Sequence, residues 1–272
     1  MKTALIISSN VAASRVGSMV SAFCLRRLGV EAIVLPTTEF GRHPGWGAPG
    51  GGIVDPARLR DMWEGIKANN IHIDAVLTGY MAHLEHIHIA QNIITDVRRL
   101  NSHARIWVDP VMGDNGRLYV AQDVAEGIKN ILFPLADMTT PNLWEFDYLC
   151  ATQSKTLEDV RKTVEKLDRN VLVSSVPIEN NIGAILRSDN QFYQIAHTQF
   201  QSVPHGGGDA LAAVFLAYEL LGYTQEDAFA HAVSVIYDIL KIAVDEGRNE
   251  LPLIECQSKL IDVNLLTLER LT

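Results

Sequence analysis

Short unbroken apolar runs and longer stretches of helical spacing alternate along almost the whole chain. Thr3–Ser8, Glu31–Leu35, Asp74–Thr78, Arg105–Val108, Asp137–Thr139 and Asn170–Ser174 read as buried strands. Between them, Val16–Leu28, Asp55–Ala68, Leu84–Leu100, Asp123–Phe133 and Leu157–Leu167 carry apolar residues at helical intervals. Asp55 and Pro56 supply a cap and a first helical residue, and Gly29 closes the first helix. Ile182–Leu186 and Phe192–Ile195 form a predicted hairpin, Gly207–Leu221 and Gln225–Val244 are two closing helices, and the tail after Pro252 is expected to be a terminal helix. This rhythm predicts an α/β fold, a three-layer sandwich with a mostly parallel central sheet, in a single domain of residues 1–272. One segment breaks it. Pro36–Val54 holds three prolines and six glycines without periodicity, and is expected to be an irregular flap over a ligand.

Parallel sheets of this kind bind ligands outside the carboxyl ends of their strands. Ser9, Gly79-Tyr80, Asp109-Pro110, Thr140-Pro141-Asn142 and Ser174-Ser175 each follow a predicted strand. Composition narrows the partners. A net charge of −9 over 272 residues disfavours nucleic acid and anionic membranes. It would also repel nucleotide phosphates, so any nucleotide site needs local N–H donors, a metal ion or a few basic side chains. Cys24, Cys150 and Cys256 are far apart and odd in number, and read as reduced thiols of a cytoplasmic protein. The apolar start Ala4–Ile7 is too short for a signal sequence, and no run of 18 apolar residues occurs.

The densest chemical signal is His205-Gly-Gly-Gly-Asp209, followed at once by a helical run. Three glycines before a helix leave backbone N–H groups uncovered at the positive end of the helix dipole, where an anion such as phosphate binds. Asp209 stands where a carboxylate can take a proton from a hydroxyl; the plainer alternative makes it a helix cap. Asp109-Pro-Val-Met-Gly-Asp114 and Thr140-Pro-Asn-Leu-Trp-Glu145 each follow a strand, with Glu145 about one turn after Asn142. Carboxylates at neighbouring strand tips suit Mg²⁺, which favours one or two carboxylates together with waters and substrate phosphates.

In this order, Leu77-Thr-Gly-Tyr-Met81, Asp109–Asp114, Thr140-Pro-Asn142 with Glu145, and Gly206–Asp209 resemble the pyridoxal kinase branch of the ribokinase superfamily. The resemblance spans roughly Leu5 to Pro252, and Val235–Leu253 looks like the closing helix and tail of that family. It implies a ribokinase-like domain, usually a homodimer, that transfers the γ-phosphoryl group of ATP to the 5′-hydroxymethyl of pyridoxal, pyridoxine or pyridoxamine. By position, it makes Asp209 the base and the N–H groups of Gly206, Gly207 and Gly208 the anion hole. Asp109 and Glu145 match positions that organise Mg²⁺ and the ATP phosphates. Tyr119 matches one whose backbone carbonyl assists a cation, with room for a monovalent ion. Thr140, Asn142 and Ser174 fall on the nucleotide side. Ser9, Thr37, Gly45 and Tyr80 surround the pyridine ring beneath the 36–54 flap.

The vitamin side departs from the family pattern. Val11-Ala-Ala-Ser14 replaces a segment that usually carries a tyrosine, Ser18 and Arg42 replace asparagines, and Gly45 stands where some members have histidine. Trp46 is the nearest candidate for the missing aromatic surface. Two rival readings remain: a kinase for another hydroxymethyl heterocycle such as hydroxymethylpyrimidine, and a non-catalytic vitamin or nucleotide sensor. The first commonly has cysteine where this chain has Asp209, and a sensor need not keep a base beside an anion hole. His83, His86 and His88 lack a completing ligand set and read as surface or partly buried residues.

Overall fold

The computed structural model describes residues 1–271. In chain order its elements are β1 (Thr3–Val11), α1 (Gly17–Arg27), β2 (Glu31–Phe40), β3 (Gly51–Ile53), α2 (Pro56–Ala68), β4 (Ala75–Thr78), α3 (Leu84–Leu100), β5 (Arg105–Val108), β6 (Gly113–Asp114) and β7 (Arg117–Leu118). There follow α4 (Gln122–Gly127), α5 (Phe133–Leu135), β8 (Met138–Thr139), α6 (Leu143–Cys150), α7 (Leu157–Glu165), β9 (Asn170–Ile178), β10 (Asn181–Ser188), β11 (Gln191–His197), α8 (Gly207–Leu220), α9 (Gln225–Asp245) and β12 (Glu269–Leu271). The main sheet has ten strands in the order β12-β11-β10-β9-β8-β5-β4-β1-β2-β3. From β9 to β2 every pair is parallel; β3 and β10–β12 add antiparallel margins. The sandwich and its mostly parallel sheet are thus as the apolar rhythm predicts.

The strands read as continuous apolar runs because both faces of the sheet are covered. In β1, Ala4 and Ile6 enter one core with α1, α8 and α9, while Leu5 and Ile7 enter the other with α2, α3 and α4. Helix α8 is buried from Ala210 through Tyr218, with Phe215 against Trp107 and near Phe229. Wedging so apolar a helix against the sheet fixes where its glycine-rich start lies. Among the described residues no helix is long and apolar enough to cross a membrane.

Four local expectations are corrected. Pro36–Val54 is not irregular throughout: β2 runs on to Phe40, and β3 returns antiparallel to it with Thr38 opposite Ile53. Glycine hides this hairpin from the apolar pattern. Gly51 has φ +74, and a Cβ there would lie 1.9 Å from the Glu39 carbonyl oxygen. The predicted helix at 123–133 forms, but its middle, Ile128–Leu132, is π-helical ahead of Pro134, which has no N–H to offer the Asn130 carbonyl. The tail after Pro252 forms a short 3₁₀ turn and β12 instead of a helix. It is held across the closing helices by bonds from Tyr218 Oη to the Leu260 carbonyl and from Leu266 N–H to Ser234 Oγ. His86 is fully buried, with Nε2 2.8 Å from the Val54 carbonyl, so it fastens the end of the flap segment to α3.

Candidate active site

Helix α8 is preceded by its N-cap Gly206, whose φ of +94° is the left-handed conformation that favours glycine. A Cβ there would approach the Arg15 carbonyl oxygen to 2.2 Å, whereas one at Gly208 would meet nothing within 4 Å. The first-turn N–H groups of α8 have no carbonyl four residues back within the helix and open toward that space. Asp209 does not cap its own helix. Its Oδ2 accepts the N–H of Gly17, the first residue of α1, at 2.9 Å. Helix α1 has no side-chain cap at Val16 and no acidic residue of its own in its first turn. The positive ends of α1 and α8 therefore meet at one carboxylate. Burial raises the Asp209 carboxyl to about 6, and the Gly17 N–H bond opposes that rise.

Asp109 and Glu145 are buried, the first just after β5 and the second in the first turn of α6. Asp109 Oδ1 accepts the Thr140 hydroxyl at 3.1 Å. Burial lifts its carboxyl well above the usual range; the charges of Asp209 and Glu145 add to this, and the Thr140 bond opposes it. Glu145 is held by backbone donors on both oxygens. Its Oε1 accepts Met112 N–H at 3.0 Å and Gly113 N–H at 3.4 Å, and its Oε2 accepts Asn142 N–H at 3.0 Å. Asn142 Oδ1 returns a bond to Glu145 N–H, closing a capping box, and Asn142 Nδ2 donates to the Gly113 carbonyl. Burial pushes the Glu145 carboxyl up to about 8 against these three N–H donors. Glu145 thus clasps the 109–114 turn to α6. Glu145→Gln should turn an amide N–H toward one of these donors, lowering both thermal stability and turnover at least several-fold. Melting curves and initial rates that match wild type would contradict this.

Tyr119 stands beside this acidic group, with its N–H donated to the Met112 carbonyl at 3.0 Å. Its side chain is half exposed; partial burial and then the charges of Glu145, Asp109 and Asp209 raise its phenol. Ser174 lies in the middle of β9, not after the strand; it is bridged to Asn142 and donates its N–H to the Pro141 carbonyl at 3.0 Å, beside the residues that follow β8. No ion pair neutralises Asp109, Glu145 or Asp209 among the described residues, and no three His, Cys, Asp or Glu side chains there converge as a metal cage. Unneutralised carboxylates without a cage fit a Mg²⁺ ion that brings waters and phosphates as its other ligands. Asp109 would hold it, with Glu145 setting the turn behind.

On the opposite side, Ser9 lies inside β1 at a register shift between Ser8 and Asn10, not after the strand. Gly17, at φ +58, packs so closely that a Cβ would sit 2.3 Å from Ser9 Oγ. Asn10 Oδ1 and Ser14 Oγ nearby are buried without hydrogen-bond partners. Such orphans are polar atoms that a polar ligand can satisfy. Thr37 Oγ1 donates to the Tyr80 carbonyl at 2.7 Å, and Tyr80 N–H donates to Ser8 Oγ at 3.1 Å, so Thr37 and Tyr80 are joined beside Ser8. At the flap tip, Gly45 N–H donates to His43 Nδ1 at 3.1 Å within a 3₁₀ turn, and Trp46 is tilted against His43. His43 stacks on His205 with centroids 4.5 Å apart, bringing the flap onto the residue before Gly206. Burial, then His205, lowers the His43 imidazole, while Glu250 opposes them.

The structure links Asp209 to Gly17 beside Ser9, Asp109 to Thr140, Glu145 and Asn142 to the 112–113 turn, and Thr37 to Tyr80. It adds Gly17, His43 and Arg15, which sequence reasoning missed. Gly17 and His43 had no motif of their own. Their partners, Asp209 and His205, lie more than 150 residues away in the chain.

The phosphomethylpyrimidine kinase family matches residues 54–253. Pyridoxal kinase PdxY of Leifsonia xyli is 31% identical over 264 residues, covering 93% of each chain. The pyridoxal kinase of Entamoeba histolytica superposes with a TM-score of 0.93 over 100% of both chains at 24% identity. That of Leishmania donovani, solved with ADP and pyridoxamine, gives 0.93 over 100% of both at 23%. The chain belongs to the phosphomethylpyrimidine kinase family and, within it, is an enzyme of the pyridoxal kinase group.

Proposed function

We propose that this enzyme transfers the γ-phosphoryl group of ATP to the 5′-hydroxymethyl group of a B6 vitamer, giving pyridoxal 5′-phosphate from pyridoxal. The observation that carries the reading is one carboxylate, Asp209, set at the start of α8 beside the uncovered N–H groups of its first turn and held by Gly17. Asp209 Oδ1 takes the proton of the 5′-hydroxyl as that oxygen bonds to the γ-phosphorus. The bond from phosphorus to the β–γ bridging oxygen breaks, and ADP leaves with its electrons. The N–H groups of Gly206, Gly207 and Gly208 face the charge spread over the transferring phosphoryl oxygens, where donors are most effective. When bound, Mg²⁺ supplies charge neutralisation at the phosphates. Asp109 would hold it, Glu145 and Asn142 fix the turn behind Asp109, and Thr140 orients the Asp109 carboxylate. Thr140, Asn142 and Ser174 would form the nucleotide side, and the Tyr119 carbonyl would assist a cation. Ser9, Thr37, Gly45, Trp46 and Tyr80 form the vitamer side under the 36–54 flap. The working unit we propose is one domain paired as a cytoplasmic homodimer.

The matched family is described by a pyrimidine substrate, which keeps hydroxymethylpyrimidine as the second reading. Initial rates of ADP release with MgATP and pyridoxal, pyridoxine, pyridoxamine or hydroxymethylpyrimidine separate the two. We expect kcat/KM to be highest for a vitamer by at least about tenfold. Preference for hydroxymethylpyrimidine would move the enzyme to the pyrimidine side.

A further inference from the structure

Among the described residues, the Asp209 carboxylate accepts one hydrogen bond, from Gly17, and the turn that delivers this N–H has little of its own to hold it. Val16 gives α1 no side-chain cap. Gly17 adopts φ +58, and the turn's own bond runs from Ser14 N–H to the Val11 carbonyl at 3.3 Å. Ala12 and Ala13 pair with the Phe40 and Gly41 carbonyls at the end of β2. The half nearest Gly17 is fastened from beyond α9. Arg15 N–H donates to Glu250 Oε1 at 2.9 Å, and Arg15 Nη1 donates to the Leu251 carbonyl and to Glu255 Oε2. Arg248 Nη1 holds the other oxygen of Glu255 at 2.7 Å. The same segment meets the anion-hole loop, because the backbone of Glu250 bridges that of His205. The Arg15 carbonyl, in turn, lies so close to Gly206 that only glycine fits there.

Arg15 thus ties three pieces together: the turn leading to Gly17, the loop leading to Gly206, and the segment Glu250–Glu255. We infer that Arg15, anchored by Glu250, Leu251 and Glu255, is a positioning residue that sets the Gly17 N–H against Asp209 and so aims the catalytic carboxylate at the anion hole. It touches no reacting atom. Its effect passes through backbone geometry, and proton transfer between a hydroxyl and its base is sensitive to displacements well under a hydrogen-bond length.

This inference rests on Asp209 being the base, and the two can fail separately. The test uses the full-length enzyme and follows both turnover and the Gly17 amide proton by NMR, since an amide bonded to a carboxylate resonates downfield. Arg15→Met keeps the apolar stem and removes the bonds to Leu251 and Glu255. It is expected to lower kcat roughly tenfold or more with KM for ATP nearly unchanged, and to move the Gly17 amide upfield. Arg15→Lys should restore most of both. Glu250→Ala, which removes the acceptor of the Arg15 N–H, should reproduce the effect from the other side if Arg15→Met folds poorly. An unmoved Gly17 amide, or kcat within about twofold of wild type, overturns the inference. Full turnover in Asp209→Asn would instead remove the base reading on which it stands, whatever Arg15→Met does.

Discussion

Asp209→Asn is expected to lower turnover by about three orders of magnitude while leaving ATP affinity nearly unchanged. An amide has no basic oxygen for the hydroxyl proton, yet the amide oxygen of this variant can still accept the Gly17 N–H and keep the local backbone in place. The same substitution should stabilise the ligand-free protein, and the sign follows from burial. The Asp209 carboxyl is raised in the fold from 3.8 to about 6, mainly by burial. Whatever stability it contributes is therefore present below its unfolded value and lost as pH rises through about 6. At pH 8 the wild-type chain carries this partly buried charge next to Asp109, and the variant does not. A melting midpoint about 3 °C higher at pH 8, with the gap closing toward pH 4, is the expected pattern. Wild-type turnover should fall correspondingly as pH drops through about 6. A variant with near-normal rates would remove Asp209 from the mechanism; one that melted lower at pH 8 would contradict the buried-charge account.

Gly208→Val is the complementary experiment, and it should lose roughly a hundredfold in kcat/KM with little change in melting temperature. A Cβ at this position meets no protein atom within 4 Å, and Gly208 is not in the left-handed region. The protein itself therefore tolerates the side chain; crowding arises only when a phosphate approaches the first-turn N–H groups. Gly206 makes the contrast. Its φ of +94° and the nearness of the Arg15 carbonyl mean that even alanine there strains the loop. Loss of activity in Gly206→Ala would thus report structure, whereas loss in a well-folded Gly208→Val reports the anion hole. Activity close to wild type in Gly208→Val would show that phosphate does not pass over this turn.

Much of the fold was legible because buried parallel strands and amphipathic helices print their burial directly onto the sequence. β1 is apolar at successive positions because its two faces enter two cores. The candidate-site motifs were legible because several glycine- and carboxylate-bearing segments fall together at strand ends and a helix start. What stayed hidden depends on contacts that leave no local pattern. β3 is Gly-Gly-Ile, which carries no strand signal, yet Gly51 is there because β3 passes so close to Glu39. The tail follows no helical period because it is pinned by bonds to Tyr218 and Ser234. The spacing of Glu145 put it near Asp109, but spacing cannot show that its oxygens also accept three backbone N–H groups. The Gly17 bond to Asp209 joins a backbone donor to a carboxylate 192 positions away, and backbone donors are the same in every sequence.

The measurement that tests the central claim most directly is the identity of the phosphorylated product. Wild-type enzyme would be incubated with MgATP and pyridoxal, and the mixture followed by ³¹P NMR and mass spectrometry beside Asp209→Asn. The account predicts pyridoxal 5′-phosphate and ADP in equal amounts from the wild-type enzyme, and neither at a comparable rate from the variant. ADP formed without a phosphorylated vitamer, or equal product from both proteins, would contradict it.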